Sequence, residues 1–302
     1  MFAFYYGTMS VLREGSDMVS GLVERLGFEL EPVAVSFTDV RPEGALQFEE
    51  GKRGCVGSML VAAAKGATVV FDEKTYGCPG GGAGLCFGDT FAKRGHPVEC
   101  LLSTGDEALA TRGESFGRSL GRGERFFATP ELVARWRSQF PFSEFVQKYV
   151  VFEPLSRVVW GTEEAVEAGE AVGGEGAGAA EAAVAGGEPA APVAPGEPDL
   201  VCVFANADQL SVLVTHAGFL RGDDINVLAP FGAACHSIAY ARREISAERP
   251  KGVLGFFDIS QRHAIPKDLL TLTLPWQLFK QMDASADESC LTTEAWERIA
   301  GR

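Results

Sequence analysis

Short apolar segments alternate with helical patterns along most of this 302-residue chain. Pro32 to Phe37 and Thr68 to Phe71 are rich in β-branched and aromatic residues, which is typical of buried strands. Later in the chain, residues 200–204 again have the pattern of a strand, and Asn206 and Gln209 after it have the spacing of a helix capping box. Strands that alternate with helices predict an α/β fold, here a mixed sheet flanked by helices.

Residues 161–198 interrupt this alternation with a low-complexity sequence of Ala, Gly, Glu and Pro. The segment carries eight acidic and no basic side chains, and it has too few large apolar residues to offset the entropy of ordering. We therefore expect a disordered acidic insert between a first α/β half at residues 1–160 and a second at residues 199–302. The insert either separates two domains or forms a long surface loop within one, because lengthening a loop costs little free energy.

The two halves repeat one order of elements. Cys55 begins an Ala-rich helix that is followed by a strand at residues 68–71, and Cys235 begins a helix that is followed by a strand at residues 253–258. This repetition favours two related halves within one domain. If the halves pack as a pseudo-symmetric pair, Cys55 and Cys235 face one another.

The net charge and the apolar pattern of the chain disfavour some classes of binding partner. The net charge of -14 disfavours nucleic acid and anionic membranes, since phosphate groups require a basic surface. No apolar run approaches the roughly 20 residues of a membrane-spanning helix, and the apolar start lacks the features of a signal peptide. We expect a cytoplasmic protein whose seven cysteines are thiols or ligands rather than disulfides.

The segment from residue 53 to 88 concentrates the chemically distinctive side chains. It holds Cys55, Cys78 and Cys86, and a glycine-rich run from Gly80 to Gly84 follows Cys78. We expect this run to be a loop, in which successive backbone N–H groups can form a concavity that binds anions. The segment therefore indicates where a site lies but does not identify a reaction.

The chain resembles the domain-of-unknown-function 169 family, which occurs mainly in anaerobic bacteria and archaea. The following features carry the resemblance: the Pro32–Val35 strand, Cys55 with its helix ending at Gly66, Cys78 followed by Gly80 and Gly81, Cys235, and the segment that leads from the later strand to Arg262, ahead of Leu272–Pro275. The family often has a Gly-Cys-x-Gly-x-Arg type segment where this chain reads Gly255 to Arg262 without a cysteine, so a ligand role at that position is lost here. The resemblance implies the fold and the location of the site more than a function.

One hypothesis is a metal ion or iron–sulfur cluster, serving redox chemistry with a redox partner. Its ligands are Cys55, Cys78 and Cys235, with Cys86 as a fourth candidate. Cys55 and Cys235 begin helices, where the helix dipole stabilises the thiolate that binds metals. However, the cysteine spacings are wide and no C-x-x-C motif occurs, and free cysteines are also common in protein cores.

The alternative hypothesis is a protein that binds a small anionic molecule and no metal, with cysteines that only pack. Gly80, Gly81 and Gly82 would then contact the ligand through their backbone, and Arg53 and Arg262 would pair with its carboxylate or phosphate. The glycines match no standard nucleotide-binding motif. His236 and His263 lie beside candidate residues in sequence, but a capping or surface role is the better explanation of either one.

Overall fold

The computed structural model describes residues 20–95, 97–110, 119–144, 147–158, 196–233 and 235–300. The strands are β1 (Val33–Thr38), β2 (Val69–Phe71), β3 (Tyr149–Pro154), β4 (Leu200–Ala205), β5 (Val227–Leu228), β6 (Gly252–Gly255) and β7 (Leu270–Pro275). The α-helices are α1 (Gly21–Leu26), α2 (Val56–Ala64), α3 (Pro79–Gly84), α4 (Thr90–Lys93), α5 (Val98–Leu101), α6 (Pro130–Gln139), α7 (Ala207–His216), α8 (His236–Glu244), α9 (Trp276–Ala284) and α10 (Glu294–Ala300).

All seven of these strands form one mixed sheet in the order β2-β3-β1-β4-β7-β6-β5. The β5–β6 pair is parallel, and the other neighbouring pairs are antiparallel. In the first half β1 leads through α2 to β2, and in the second half β4 leads through α7, β5 and α8 to β6. In each case the two strands run in the same direction two positions apart, and a later strand, β3 or β7, fills the gap between them. The α/β class, the mixed sheet and the two related halves predicted from the sequence are confirmed.

The hydrogen-bond register repeats between the halves. The pair Val33–Pro154 of the first half corresponds to Leu200–Pro275 of the second, and Val69–Phe152 corresponds to Val253–Thr273. The Leu155 N–H donates to the Pro32 carbonyl at 2.8 Å, and in the same way the Trp276 N–H donates to the Asp199 carbonyl at 2.9 Å. Between the halves, Ala34 of β1 pairs with Val201 of β4 at the centre of the sheet. This register is the one that a two-fold axis through the centre of the sheet requires.

Helices cover both faces of the sheet. Leu60 of α2 and Ile238 of α8 belong to one apolar core, while Leu22 of α1, Leu213 of α7 and Phe279 of α9 belong to the core on the opposite face. Strand residues are buried on both faces, which is why the strands are continuous apolar runs rather than alternating patterns. The helices that begin next to Cys55 and Cys235 therefore lie in the same layer.

None of the described helices is both long and apolar enough to cross a bilayer. The predicted acidic insert lies outside the described residues except for positions 196–198, which lead directly into β4.

Candidate functional site

A cavity of about 380 Å³ lies where the first residues of α2, α3 and α8 meet. Most of its wall is apolar, contributed by side chains of α5, α6 and the loops around them. Cys55, Cys78 and Cys235 all line it. The fold thus brings together three cysteines from separate segments, two from the first half and one from the second.

Each of these cysteines occupies the N-cap position of a helix. Cys55 precedes α2, Cys78 precedes α3 and Cys235 precedes α8. The first backbone N–H groups of a helix lack partners within the helix, so the N-cap side chain is well placed to meet them. Only Cys78 makes such a bond here, with its Sγ accepting from the N–H of Gly81 at 3.2 Å.

The glycine run after Cys78 is the short helix α3, not the loop that we expected from its composition. Pro79 stands at its first position, where its fixed φ favours helix and its missing N–H is not needed. The N–H of Gly81 points at the Cys78 sulfur, and the N–H of Gly82 donates to the Cys78 carbonyl at 3.0 Å. These amides therefore serve Cys78 itself rather than an external anion.

The glycines of α3 permit close packing. A Cβ on Gly84 would lie 2.8 Å from the carbonyl oxygen and 3.0 Å from the Sγ of Cys235, and a Cβ on Gly81 would lie 2.8 Å from a methyl group of Val56 in α2. Real Cβ atoms essentially never come closer than 3.0 Å to such neighbours. Larger residues at these two positions would push α3 away from the starts of α2 and α8, which carry the other two cysteines.

The thiols of Cys78 and Cys235 lie in a low-dielectric environment. Burial raises the pKa of Cys78, whereas the Gly81 N–H lowers it. Burial also raises the pKa of Cys235 well above its ordinary value, and negative charge on Cys78 or Cys55 raises it further. Both groups are therefore neutral thiols near pH 7, and a metal cation in the cavity would reverse that balance.

His236 lines the cavity but both of its ring nitrogens have protein partners. The Ala233 N–H donates to Nδ1 at 3.0 Å, so the proton lies on Nε2, which donates to the Gly80 carbonyl at 3.1 Å. Burial lowers the pKa of His236 to about 4. The imidazole also stacks on Trp136 at 5.9 Å between ring centroids. His236 therefore holds α3 and α8 together as a neutral side chain.

Two acidic side chains in the cavity were not found from the sequence. Glu124 lies in a stretch without clear periodicity, and Asp258 follows β6. Asp258 Oδ1 accepts from the N–H and the hydroxyl of Ser260 at 2.9 and 2.6 Å. The Asp-x-Ser pattern predicts that local turn, but no sequence signal places either carboxyl group beside the cysteines.

Burial raises the pKa of both carboxyl groups, and for Glu124 the negative charge of Asp258 raises it further. Both carboxyl groups thus belong to the lining of one cavity that solvates charge poorly.

The other predicted site residues divide between the cavity and the surrounding structure. Arg53 and Gly80 line the cavity, whereas Gly81 and Gly82 are buried within α3 and are not part of its lining. The Arg262 guanidinium donates to the carbonyls of Leu269 and Lys267, both at 2.6 Å. Cys86 is fully buried in the core and does not line the cavity.

The cysteines share the cavity without forming a compact single-ion site. Within the part of the chain that the structure describes, no three His, Cys, Asp or Glu side chains are grouped so that they can hold one metal ion.

The chain belongs to the domain-of-unknown-function 169 family, which is described as "Uncharacterised ArCR". The family model matches residues 21–160 and 183–284, which include all three cavity cysteines. The resemblance seen in the sequence is therefore confirmed. No curated protein and no solved structure matches the chain.

Proposed function

We propose that this member of the domain-of-unknown-function 169 family binds an iron–sulfur cluster between its two halves through Cys55, Cys78 and Cys235. The observation that carries the proposal is the convergence of these three thiols, each at the start of a helix, in one largely apolar cavity. Thiolates are soft ligands that select iron–sulfur clusters, Cu(I) or Zn²⁺ over hard cations.

A cluster accounts for the arrangement of the thiols better than a single ion does. A single ion needs its ligands close together, and the described residues contain no such group. A cluster with several irons takes its cysteine ligands on different irons, so the sulfur atoms lie farther apart. The cavity of about 380 Å³ also has more room than one ion needs.

The surroundings of the cysteines suit a redox centre. An N–H···S bond such as that from Gly81 to Cys78 stabilises negative charge on a cluster, and an apolar wall limits access of water. Both features are among those that set the reduction potential of a cluster. Redox chemistry with a protein or small-molecule partner is consistent with such a centre.

The alternative hypothesis of an anionic ligand is less well supported. The amides of α3 bond within the helix or to Cys78, and Arg262 bonds to main-chain carbonyls. The cavity lining carries two carboxyl groups, of Glu124 and Asp258, against the one guanidinium group of Arg53. The lining therefore offers an anionic ligand one basic side chain to pair with.

Analysis of iron, zinc and acid-labile sulfide after anaerobic purification and reconstitution tests the proposal. We expect the wild-type chain to contain iron and sulfide, with visible absorption that decreases when dithionite is added. The Cys55→Ser and Cys78→Ser variants should lose both elements. Cys100→Ser is the matched control, since Cys100 does not line the cavity.

Failure of the wild-type chain to retain iron and sulfide after reconstitution would overturn the proposal, as would equal retention in Cys78→Ser and Cys100→Ser. Zinc without sulfide would show that the thiols bind a single ion instead of a cluster.

A further inference from the structure

We propose that the same cavity binds a small organic cation, an amine with an apolar body, between the carboxyl groups of Glu124 and Asp258 and the aromatic side chains of Phe126, Trp136 and Phe231. This inference goes beyond the proposed cluster and does not depend on it. All five residues line the cavity, which falls within the range of about 300–1,000 Å³ that is typical of small-molecule sites.

The acidic pair favours a positively charged ligand. Asp258 is only 8% exposed, and the charge of Asp258 acts unfavourably on ionised Glu124. Two carboxylates in a low-dielectric site repel one another, and a cation between them offsets that repulsion. The lining has two acidic side chains and one basic side chain, that of Arg53, so a ligand with a single positive charge would make its formal charge zero.

The aromatic residues form a wall suited to the body of such a ligand. Phe126 and Phe231 pack edge to face with ring centroids 5.7 Å apart, and the Trp136 ring lies 6.0 Å from Phe231. The Trp136 indole N–H donates to the Phe231 carbonyl at 3.1 Å, which fixes the orientation of the indole. Aromatic faces attract organic cations and contact apolar groups in the same site.

An inorganic cation fits this site less well. Within the described residues the two carboxyl groups are not joined by a third acidic, histidine or cysteine side chain in a group that could hold a metal ion. Aromatic rings supply no oxygen ligands to a metal ion. They do remove the apolar part of an amine from water, which is favourable.

Calorimetric titration with benzylamine, benzyl alcohol and benzoate tests the inference, because these probes share a ring and differ in charge. We expect benzylamine to bind saturably and about tenfold or more tightly than benzyl alcohol, with benzoate weakest. Methylamine, which lacks the ring, should bind more weakly than benzylamine.

The Glu124→Gln variant should weaken benzylamine binding by about tenfold or more, because it removes a charge with little change in shape. Asp258→Asn provides a second variant, and Glu248→Gln is the matched control, since Glu248 is exposed and lies outside the cavity lining. Repeating the titration with Cys78→Ser separates this inference from the cluster, since benzylamine should still bind there.

The inference is overturned if benzylamine shows no saturable binding in the millimolar range, or if benzoate binds as tightly as benzylamine. Equal affinity for methylamine and benzylamine would exclude the aromatic wall from the site. Unchanged affinity in both the Glu124→Gln and Asp258→Asn variants would exclude the acidic pair.

Discussion

Gly84 lies where α3 touches the first residues of α8. A Cβ at this position would be 2.8 Å from the Cys235 carbonyl oxygen, whereas a Cβ on Gly80 in the same helix would have its nearest neighbour at 3.7 Å, the Nε2 atom of His236. Gly84→Ala should therefore lower the free energy of unfolding by about 1–3 kcal/mol, the usual cost of overpacking. Urea denaturation measures the change.

Gly80→Ala is the control for this prediction, and we expect it to leave the free energy of unfolding unchanged or to raise it by up to about 1 kcal/mol, because alanine favours a helix more than glycine does. Equal losses in the two variants would mean that packing against Cys235 does not explain the glycine at position 84.

The side chain of His216 makes the free energy of unfolding depend on pH. Its Nε2 atom lies 3.0 Å from the Ser285 hydroxyl, and burial lowers its pKa below the ordinary value of 6.5. The unfolded chain therefore binds a proton more readily than the folded chain does. The contribution of His216 to the free energy of unfolding is therefore fully present above pH 6.5. It is lost as the pH falls from the pKa of His216 in the unfolded chain towards its lower pKa in the folded chain.

We expect His216→Gln to lose less stability than the wild-type chain between pH 7.5 and pH 5, as followed by thermal unfolding. His263→Gln is the matched control, because His263 is exposed. A wild-type pH profile in the His216→Gln variant would show that another group causes the dependence.

Helix α7 has the capping box that its sequence predicts. Asn206 Oδ1 accepts from the Gln209 N–H, and Gln209 Oε1 accepts from the Asn206 N–H, each at 2.9 Å. The Gln209 amide also donates to the carbonyl of Leu26 at 3.0 Å, which joins α7 to α1. The cap therefore stabilises both the helix and its packing.

Asn206→Ala should lower the free energy of unfolding by about 1 kcal/mol, because it leaves an N–H at the helix start without its side-chain partner. Asn206→Asp keeps an acceptor oxygen and should remain close to the wild-type value. Equal stability of the alanine and aspartate variants in urea denaturation would contradict the assigned cap.

Helix α3 is an element that local sequence patterns do not predict. Capping boxes and apolar runs act over a few residues, so Asn206 and the strand at Val33 could be predicted from the sequence. Four glycines within six residues have low helix propensity and predict a loop. Packing against Val56 and Cys235 instead favours a helix there, and those contacts come from distant segments.

The two halves of the molecule are related by the hydrogen-bond register of one sheet. Repeated element order predicted this relation, but the register depends on pairings such as Ala34 with Val201, which local sequence does not specify. The same limit applies to the cavity. The cysteines were found as candidates because residue type and helix position are visible in the sequence, whereas Glu124 and Asp258 reach the cavity only through tertiary structure.

We propose that a cysteine from the second half, Cys235, completes a cluster site that Cys55 and Cys78 of the first half begin. Iron and sulfide content of the Cys235→Ser variant after anaerobic reconstitution tests it most directly, with Cys290→Ser as a control from the same half, since Cys290 does not line the cavity. We predict that Cys235→Ser loses both iron and sulfide while Cys290→Ser keeps them. Wild-type iron and sulfide in Cys235→Ser would contradict a centre shared by the two halves.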